Sequence, residues 1–224
     1  MKAMGEEHYA ILRRHMVEVI GIHFDLMSEE LGKATLDRRV NETLQQVPRH
    51  HHVPDSLAPF AYHDTPLPIG FDKTVSQPFI AALMIDLSAP QPNDVVLEVG
   101  TGLGYQAALL AALSAQVWSV EVVEELALEA EVRLQRRGIS NVGIRVGDGS
   151  RGWADHAPFD KILVGAAAKR LPSALVDQLK PGGRMVLPVG PPDAQQLTVV
   201  EKGETGKIES RAVIPVRFAQ LEIA

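Results

Sequence analysis

The segment Val95–Tyr105, VVLEVGTGLGY, constrains this chain more than any other stretch. It reads as a buried parallel strand closed by glycines at the alternate positions 100, 102 and 104, with a helix following. Glycine permits a tight turn and a close approach of backbone to ligand. The helix that follows presents unpaired N–H groups and the positive end of its dipole. Strand, turn and helix together predict a nucleotide-type pocket. A dinucleotide fingerprint, G-x-G-x-x-G, would place its third glycine at 105. That position is Tyr105, which disfavours a nicotinamide oxidoreductase. The pattern is instead E-x-G-x-G-x-G, with Glu98 two residues before Gly100. It suits S-adenosylmethionine, which has no pyrophosphate and carries a cationic sulfonium that a carboxylate at the turn favours. The next strand ends in Glu121, an acid that can accept from both ribose hydroxyls. A third ends at Asp148 in Val146-Gly147-Asp148-Gly149, suited to the adenine amino group. Each acid alone could be a plain helix cap. Three at successive strand ends point to one bound donor.

Composition sets outer limits. A length of 224 residues suits one large α/β domain with additions, and 46% hydrophobic residues provide for a sizeable core. The formal charge is −6, from 22 basic and 28 acidic residues, which argues against broad binding to nucleic acid or anionic membrane. With no cysteine there is no disulfide framework, thiolate metal site or cysteine nucleophile. The start, Met1–Glu7, is polar and lacks a signal-type apolar core. No window reaches the ~18 apolar residues of a membrane span. A cytoplasmic protein is the expectation; the oligomeric state is left open.

Periodicity predicts a helix over 8–31, with Leu12, Met16, Val19, Ile20, Phe24 and Met27 on one face, and a second over 35–47 capped by Thr35. Residues 48–78 read as a proline- and histidine-rich loop. Then follow helix 77–87, strand 94–99, helix 104–114, strand 116–121, helix 123–137, strands 142–146 and 159–165, helix 172–179, a turn at Pro181-Gly182-Gly183, and strand 184–189. Alternating strands and helices predict a doubly wound, mostly parallel sheet. Leu197–Glu201 and Ser210–Val216 predict a terminal antiparallel hairpin. We divide the chain into an N-terminal helical and loop region on the substrate side, 1–76, and a Rossmann-like methyltransferase domain, 77–224, in one compact unit.

From about Val47 to Val216 the chain resembles the protein-L-isoaspartate (D-aspartate) O-methyltransferases. The resemblance rests on Val47-Pro48-Arg49-His50, Tyr62–Gly70, Thr74-Val75-Ser76-Gln77-Pro78, the EVGTGLGY turn, Gly147-Asp148-Gly149, Ala157-Pro158-Phe159-Asp160, Leu179–Arg184 and Leu187-Pro188-Val189-Gly190. The donor turn is shared by most methyltransferases of this fold, whereas the Tyr-x-Asp-x-Pro, Ile-Gly and Thr-x-Ser-x-Pro block is far more specific. The resemblance implies a class I S-adenosylmethionine-dependent fold. It also implies methyl transfer to the carboxylate of L-isoaspartyl and D-aspartyl residues in damaged proteins, which initiates their repair, with S-adenosyl-L-homocysteine as product. Carried over residue by residue, it implies that Thr74, Val75, Ser76, Glu98, Gly100, Thr101, Gly102, Glu121, Asp148 and Gly149 hold the donor. Ile69, Ser76, Ala166 and Phe218 would meet the acceptor, and Ser76 would orient the acceptor carboxylate.

That chemistry fits the residues. A carboxylate of reference pKa about 4 is already ionised at neutral pH and needs no general base. The enzyme need only align it and exclude water. Read locally, Ser76 could equally cap the helix starting near Pro78. The chain departs from the pattern of the family it resembles at Asp72-Lys73, at Lys169 after the alanine run, and at Ala219-Gln220, where that family has Val-Pro. The altered tail leaves open a different carboxylate or small-molecule acceptor; a non-catalytic donor-binding protein is a further alternative. His50-His51-His52 reads as a polar turn rather than a metal site, because consecutive side chains do not share a face. Trp118 and Trp153 read as packing residues.

Overall fold

A computed structural model describes residues 5–222. The polar start expected at 1–7 therefore lies partly outside the described residues. In chain order the elements are α1 (Glu6–Leu26), α2 (Ser28–Leu31), α3 (Arg38–Gln46), β1 (Leu67–Gly70), β2 (Lys73–Val75), α4 (Pro78–Ser88), β3 (Val95–Val99), α5 (Tyr105–Leu113), β4 (Gln116–Glu121), α6 (Glu124–Arg136), β5 (Val142–Val146), β6 (Phe159–Val164), α7 (Ser173–Asp177), β7 (Leu179–Val189), β8 (Gln195–Lys202) and β9 (Ile208–Val216).

The main sheet has seven strands in the order β5-β4-β3-β6-β7-β8-β9. Strands β3 to β7 pair in parallel, and β8 and β9 add antiparallel at one edge. Chain direction across the sheet reverses between β3 and β6. In doubly wound sheets ligands bind at such a switch point, beyond the carboxyl ends of the strands. Alternation along β3 decides what lies on each face. Val96 joins a core with Ile20, Leu44, Leu83 and Leu110 from α1, α3, α4 and α5. Leu97 and Val99 join the opposite core with Val120, Ile162, Leu175 and Leu187. Helix α4 is buried on nearly every side, only Ile80 being partly open; an apolar helix without a polar face belongs inside. Among the described residues, no helix is long and apolar enough to cross a membrane.

The first helix breaks at Met27 instead of running on to 31. The second begins at Arg38, not near Thr35. Asp37 is its N-cap, and its carboxylate accepts from the N–H groups of Arg39 and Val40. The buried Asp86 carboxylate in turn accepts from the Asp37 N–H and from Lys33. The segment 48–78 is not a plain loop: two 3₁₀ turns, Arg49–His52 and Asp55–Phe60, lead into the β1–β2 hairpin. The histidine run is not a polar surface turn, since Arg49, His50 and His52 are buried in it. Pro181-Gly182-Gly183 lies within β7, which starts at Leu179. The pairing with β6 shifts register between Phe159 and Lys161, and this irregularity, with Gly182 at φ 74°, absorbs the turn within the strand. Trp118 does pack as expected, stacked on His156 at 3.4 Å and edge-on to Trp153 at 5.2 Å.

Candidate active site

A cavity of about 600 Å³ opens at the switch point, a size typical of small-molecule sites. Its floor is made by the ends of β3 and β6, through Val99, Gly100, Gly165 and Ala166. The β1–β2 hairpin and the following turn form one wall, with Ile69, Thr74 and Ser76. The tail from Pro215 to Glu222 forms the other.

The glycine turn is shaped by contact on both sides. Gly100 has φ 92° and lies against the Gly165 backbone. Gly102 has φ 54°, and a Cβ there would lie 3.1 Å from the Ile69 side chain. A side chain at either position would strain the backbone or crowd the cavity. Glu121 fixes the turn from the neighbouring strand. Its Oε2 accepts from the Gly102 N–H at 2.8 Å, and its Oε1 accepts from the N–H groups of Val122 and Val123, each at 3.0 Å. Glu121 also faces the cavity, so one carboxylate both holds the turn and offers its remaining lone pairs to a ligand.

Glu98 sits elsewhere. It points to the helix-covered face of β3, opposite Ser119, and is fully buried beneath the turn rather than exposed at the cavity wall. The Ser119 hydroxyl donates to its Oε2 at 2.5 Å and shares a second hydrogen bond with the Thr101 hydroxyl at 2.6 Å. Burial pushes the Glu98 carboxyl up to about 8; the Ser119 hydrogen bond opposes this and the nearby Glu121 carboxylate adds to it. Thr101 is likewise buried in that network. Val75 packs into the core below the hairpin. Asp148 lies behind the wall, whose surface is Gly149. One Asp148 oxygen accepts from the Ser150 N–H at 2.9 Å. The other is buried without a hydrogen bond, although Arg151 Nε lies 3.3 Å away. A buried acceptor left open is an invitation to a donor on a ligand.

Ser76 faces the cavity, and its hydroxyl makes no hydrogen bond among the described residues. It does not cap α4. The N-cap position is Gln77, and the cap is supplied from a distance by Asp64, whose carboxylate accepts from the Phe79 N–H at 3.0 Å and from the Gln77 amide at 2.7 Å. Arg49 holds the same segment from below. Its guanidinium is fully buried 4.8 Å over the Tyr105 ring and donates to the Ala61 carbonyl at 2.8 Å and the Ser76 carbonyl at 2.6 Å. Burial lowers its pKa only to about 10, so it stays charged. The motif residues Arg49, Asp64 and Ser76 are thus one device. A buried cation and a carboxylate clamp the turn, leaving the serine hydroxyl free.

The tail is built in, not loose. The Gln195 side chain exchanges two hydrogen bonds with the Phe218 backbone, at 2.6 and 3.0 Å. Ala167 pairs with Gln220 as a parallel bridge, its N–H donating to Ala219 and its carbonyl accepting from Leu221. Lys73 of the hairpin forms an ion pair with Glu222 across the cavity mouth. Of the residues anticipated from sequence, the structure brings Ile69, Thr74, Ser76, Gly100, Gly102, Glu121, Gly149, Ala166 and Phe218 to the cavity. It places Val75, Glu98, Thr101 and Asp148 behind it. Lys73, Gln77, Ile80 and Gln220 also line it; Lys73 and Gln220, two of the departures from the family pattern, carried that signal in the sequence. His50 and His51 meet Glu6 with ligand-type atoms within 4.8 Å of one another, away from this cavity. There the His50 ring is tied to the Tyr62 hydroxyl at 2.7 Å, and Arg13 bonds Glu6.

The family profile described as Protein-L-isoaspartate(D-aspartate) O-methyltransferase (PCMT) matches residues 23–222. A Polaromonas sp. protein-L-isoaspartate O-methyltransferase 1 is 51% identical over 99% of this chain and 94% of its own length. A Syntrophobacter fumaroxidans protein-L-isoaspartate O-methyltransferase 2 is 49% identical over 97% and 88%. Among solved structures, a protein-L-isoaspartate O-methyltransferase superposes with a TM-score of 0.78 at 25% identity, over 93% of this chain and 65% of that one. A Plasmodium falciparum chain described as a beta-aspartate methyltransferase (PCMT), solved with S-adenosyl-L-homocysteine, superposes with a TM-score of 0.73 at 26% identity, over 83% of this chain and 91% of that one. By its family profile and its close relatives, the chain belongs to the protein-L-isoaspartate (D-aspartate) O-methyltransferase family.

Proposed function

We propose that the switch-point cavity carries out methyl transfer from S-adenosylmethionine to the carboxylate of isoaspartyl residues, with Ser76 as the group that orients the acceptor. The observation that carries this reading is the clamped turn. Arg49 and Asp64 hold its backbone on both sides, and its one free polar group, the Ser76 hydroxyl, faces the cavity. The cavity suits the donor on three counts: glycines where a side chain would crowd it, a Glu121 carboxylate at its wall, and behind Gly149 an Asp148 oxygen that makes no hydrogen bond. Glu121 would accept from the ribose hydroxyls and Asp148 from the adenine amino group, while Gly100, Gly102 and Gly149 let the backbone approach. When bound, S-adenosylmethionine supplies an activated methyl group on a sulfonium.

The acceptor carboxylate is ionised at neutral pH and attacks without a general base. Ser76 donates a hydrogen bond that fixes one carboxylate oxygen and turns the other toward the methyl group. Ile69, Ala166 and Phe218 exclude water around it. Residues 1–76 act as the acceptor-side region, since they supply the clamp and the hairpin wall. Replacing Ser76 by Ala should lower turnover by about 10²-fold or more, the scale for losing one positioned donor, with donor affinity nearly unchanged. Full turnover in Ser76→Ala would remove Ser76 from this role.

A further inference from the structure

A second cavity, of about 1070 Å³, lies on the other side of the tail. Gln220 and Leu221 line both cavities, so a strip two residues wide separates them. The second cavity is lined by two cations, Lys169 and Arg170, and by the hydroxyl residues Ser150 and Ser173, with no acidic residue. In a chain of net charge −6 such a lining is a local reversal of sign. Lys169 and Arg170 are exposed and make no ion pair or hydrogen bond among the described residues. The Gln220 amide nitrogen is buried without a hydrogen-bond partner among the described residues. The strip itself is rigid, because the Ala167 bridge fixes the backbone on either side of Gln220.

We propose that this cavity is a second acceptor subsite, which takes an acidic side chain of the same polypeptide whose isoaspartyl residue occupies the methyl-transfer cleft. The proposal rests on the acceptor reading given above. An extended polypeptide leaving the cleft on this side crosses Gln220. Its next side chains descend between Lys169 and Arg170. A carboxylate meets two uncompensated cations there, whereas a lysine meets like charge. The subsite thereby makes the chain select isoaspartyl sites in acidic surroundings.

The test compares isoaspartyl peptides that differ only in carrying Glu, Gln or Lys at the positions flanking the isoaspartyl residue. The Glu peptide should be favoured over the Gln peptide by about threefold to fivefold in kcat/KM, the scale of exposed charge pairs. The gain should lie in KM and shrink in high salt. Lys169→Glu combined with Arg170→Glu should reverse the ranking, with kcat on the Gln peptide and the affinity for S-adenosylhomocysteine unchanged. Equal kcat/KM for the three peptides, or the same ranking in the variant, would overturn the subsite. Micromolar binding of free glutamate or inorganic phosphate, lost in the variant, would make the cavity a small-anion site and overturn it too. No transfer to any of the peptides would instead strike the acceptor reading, and the subsite with it.

Discussion

Two acids flank the donor turn and behave oppositely because their surroundings differ. Asp148 keeps one oxygen on the Ser150 N–H, and the other lies 3.3 Å from Arg151 Nε without a hydrogen bond. Its replacement by Ala should weaken donor binding by about 1–3 kcal/mol, the loss for a buried hydrogen-bond partner. Unchanged affinity by calorimetry would remove the adenine contact. Glu98 is a buried acid with its carboxyl raised to about 8. Unfolding returns it to an ordinary carboxylate, so between pH ~4.5 and ~8 the folded state holds the extra proton. Its contribution to stability is therefore largest at low pH and declines as pH rises through that window. Glu98→Gln keeps the shape and removes the titration. The wild type should lose stability relative to Glu98→Gln from pH 5 to 9, by an amount on the order of a few kcal/mol. Parallel unfolding curves across that range would contradict the assignment. The sequence marked both acids but not this contrast. Strand-end position is visible in a pattern, whereas the face on which Glu98 lies follows from its register opposite Ser119.

At the scale of elements, the unit that matters is the turn before α4. Its cap comes from Asp64, fourteen residues before Pro78, so no local capping pattern reveals it. Asp64→Ala should cost about 0.5–2 kcal/mol of stability, as for a lost cap. It should also lower turnover, because Gln77 loses its tether next to Ser76. Thermal unfolding and labelled-methyl kinetics on one preparation would check both; a change in neither would show the turn held by Arg49 alone. The regular elements of the sheet were legible because each carries a local pattern: a short apolar run bounded by a turn for β3, a 3.6-residue period for α6. The segment 48–78 was not. Its order comes from a buried arginine that bonds carbonyls 12 and 27 residues away, and such contacts leave no periodic trace. The same holds for the tail, whose hold on Ala167 and Gln195 is tertiary.

For the molecule as a whole, the doubly wound sheet supplies the donor floor, and everything particular to the acceptor is added around it. The N-terminal helices share the core of the sheet's covered face and carry the hairpin wall. The antiparallel strands β8 and β9 deliver the tail as the opposite wall. The donor turn was readable from one contiguous motif and two further strand ends, while the cavity walls are assembled from distant parts of the chain. The departures at Lys73, Lys169 and Gln220 all fall on that cleft or beside it. The most direct test is transfer of labelled methyl groups from S-adenosylmethionine to a peptide containing one L-isoaspartyl residue, against the same peptide with aspartate. Isoaspartyl specificity with Ser76 as the orienting group predicts steady transfer to the isoaspartyl peptide, little to its aspartyl control, and a loss of about 10²-fold or more in Ser76→Ala. Equal transfer to the two peptides, or none to either, would contradict it.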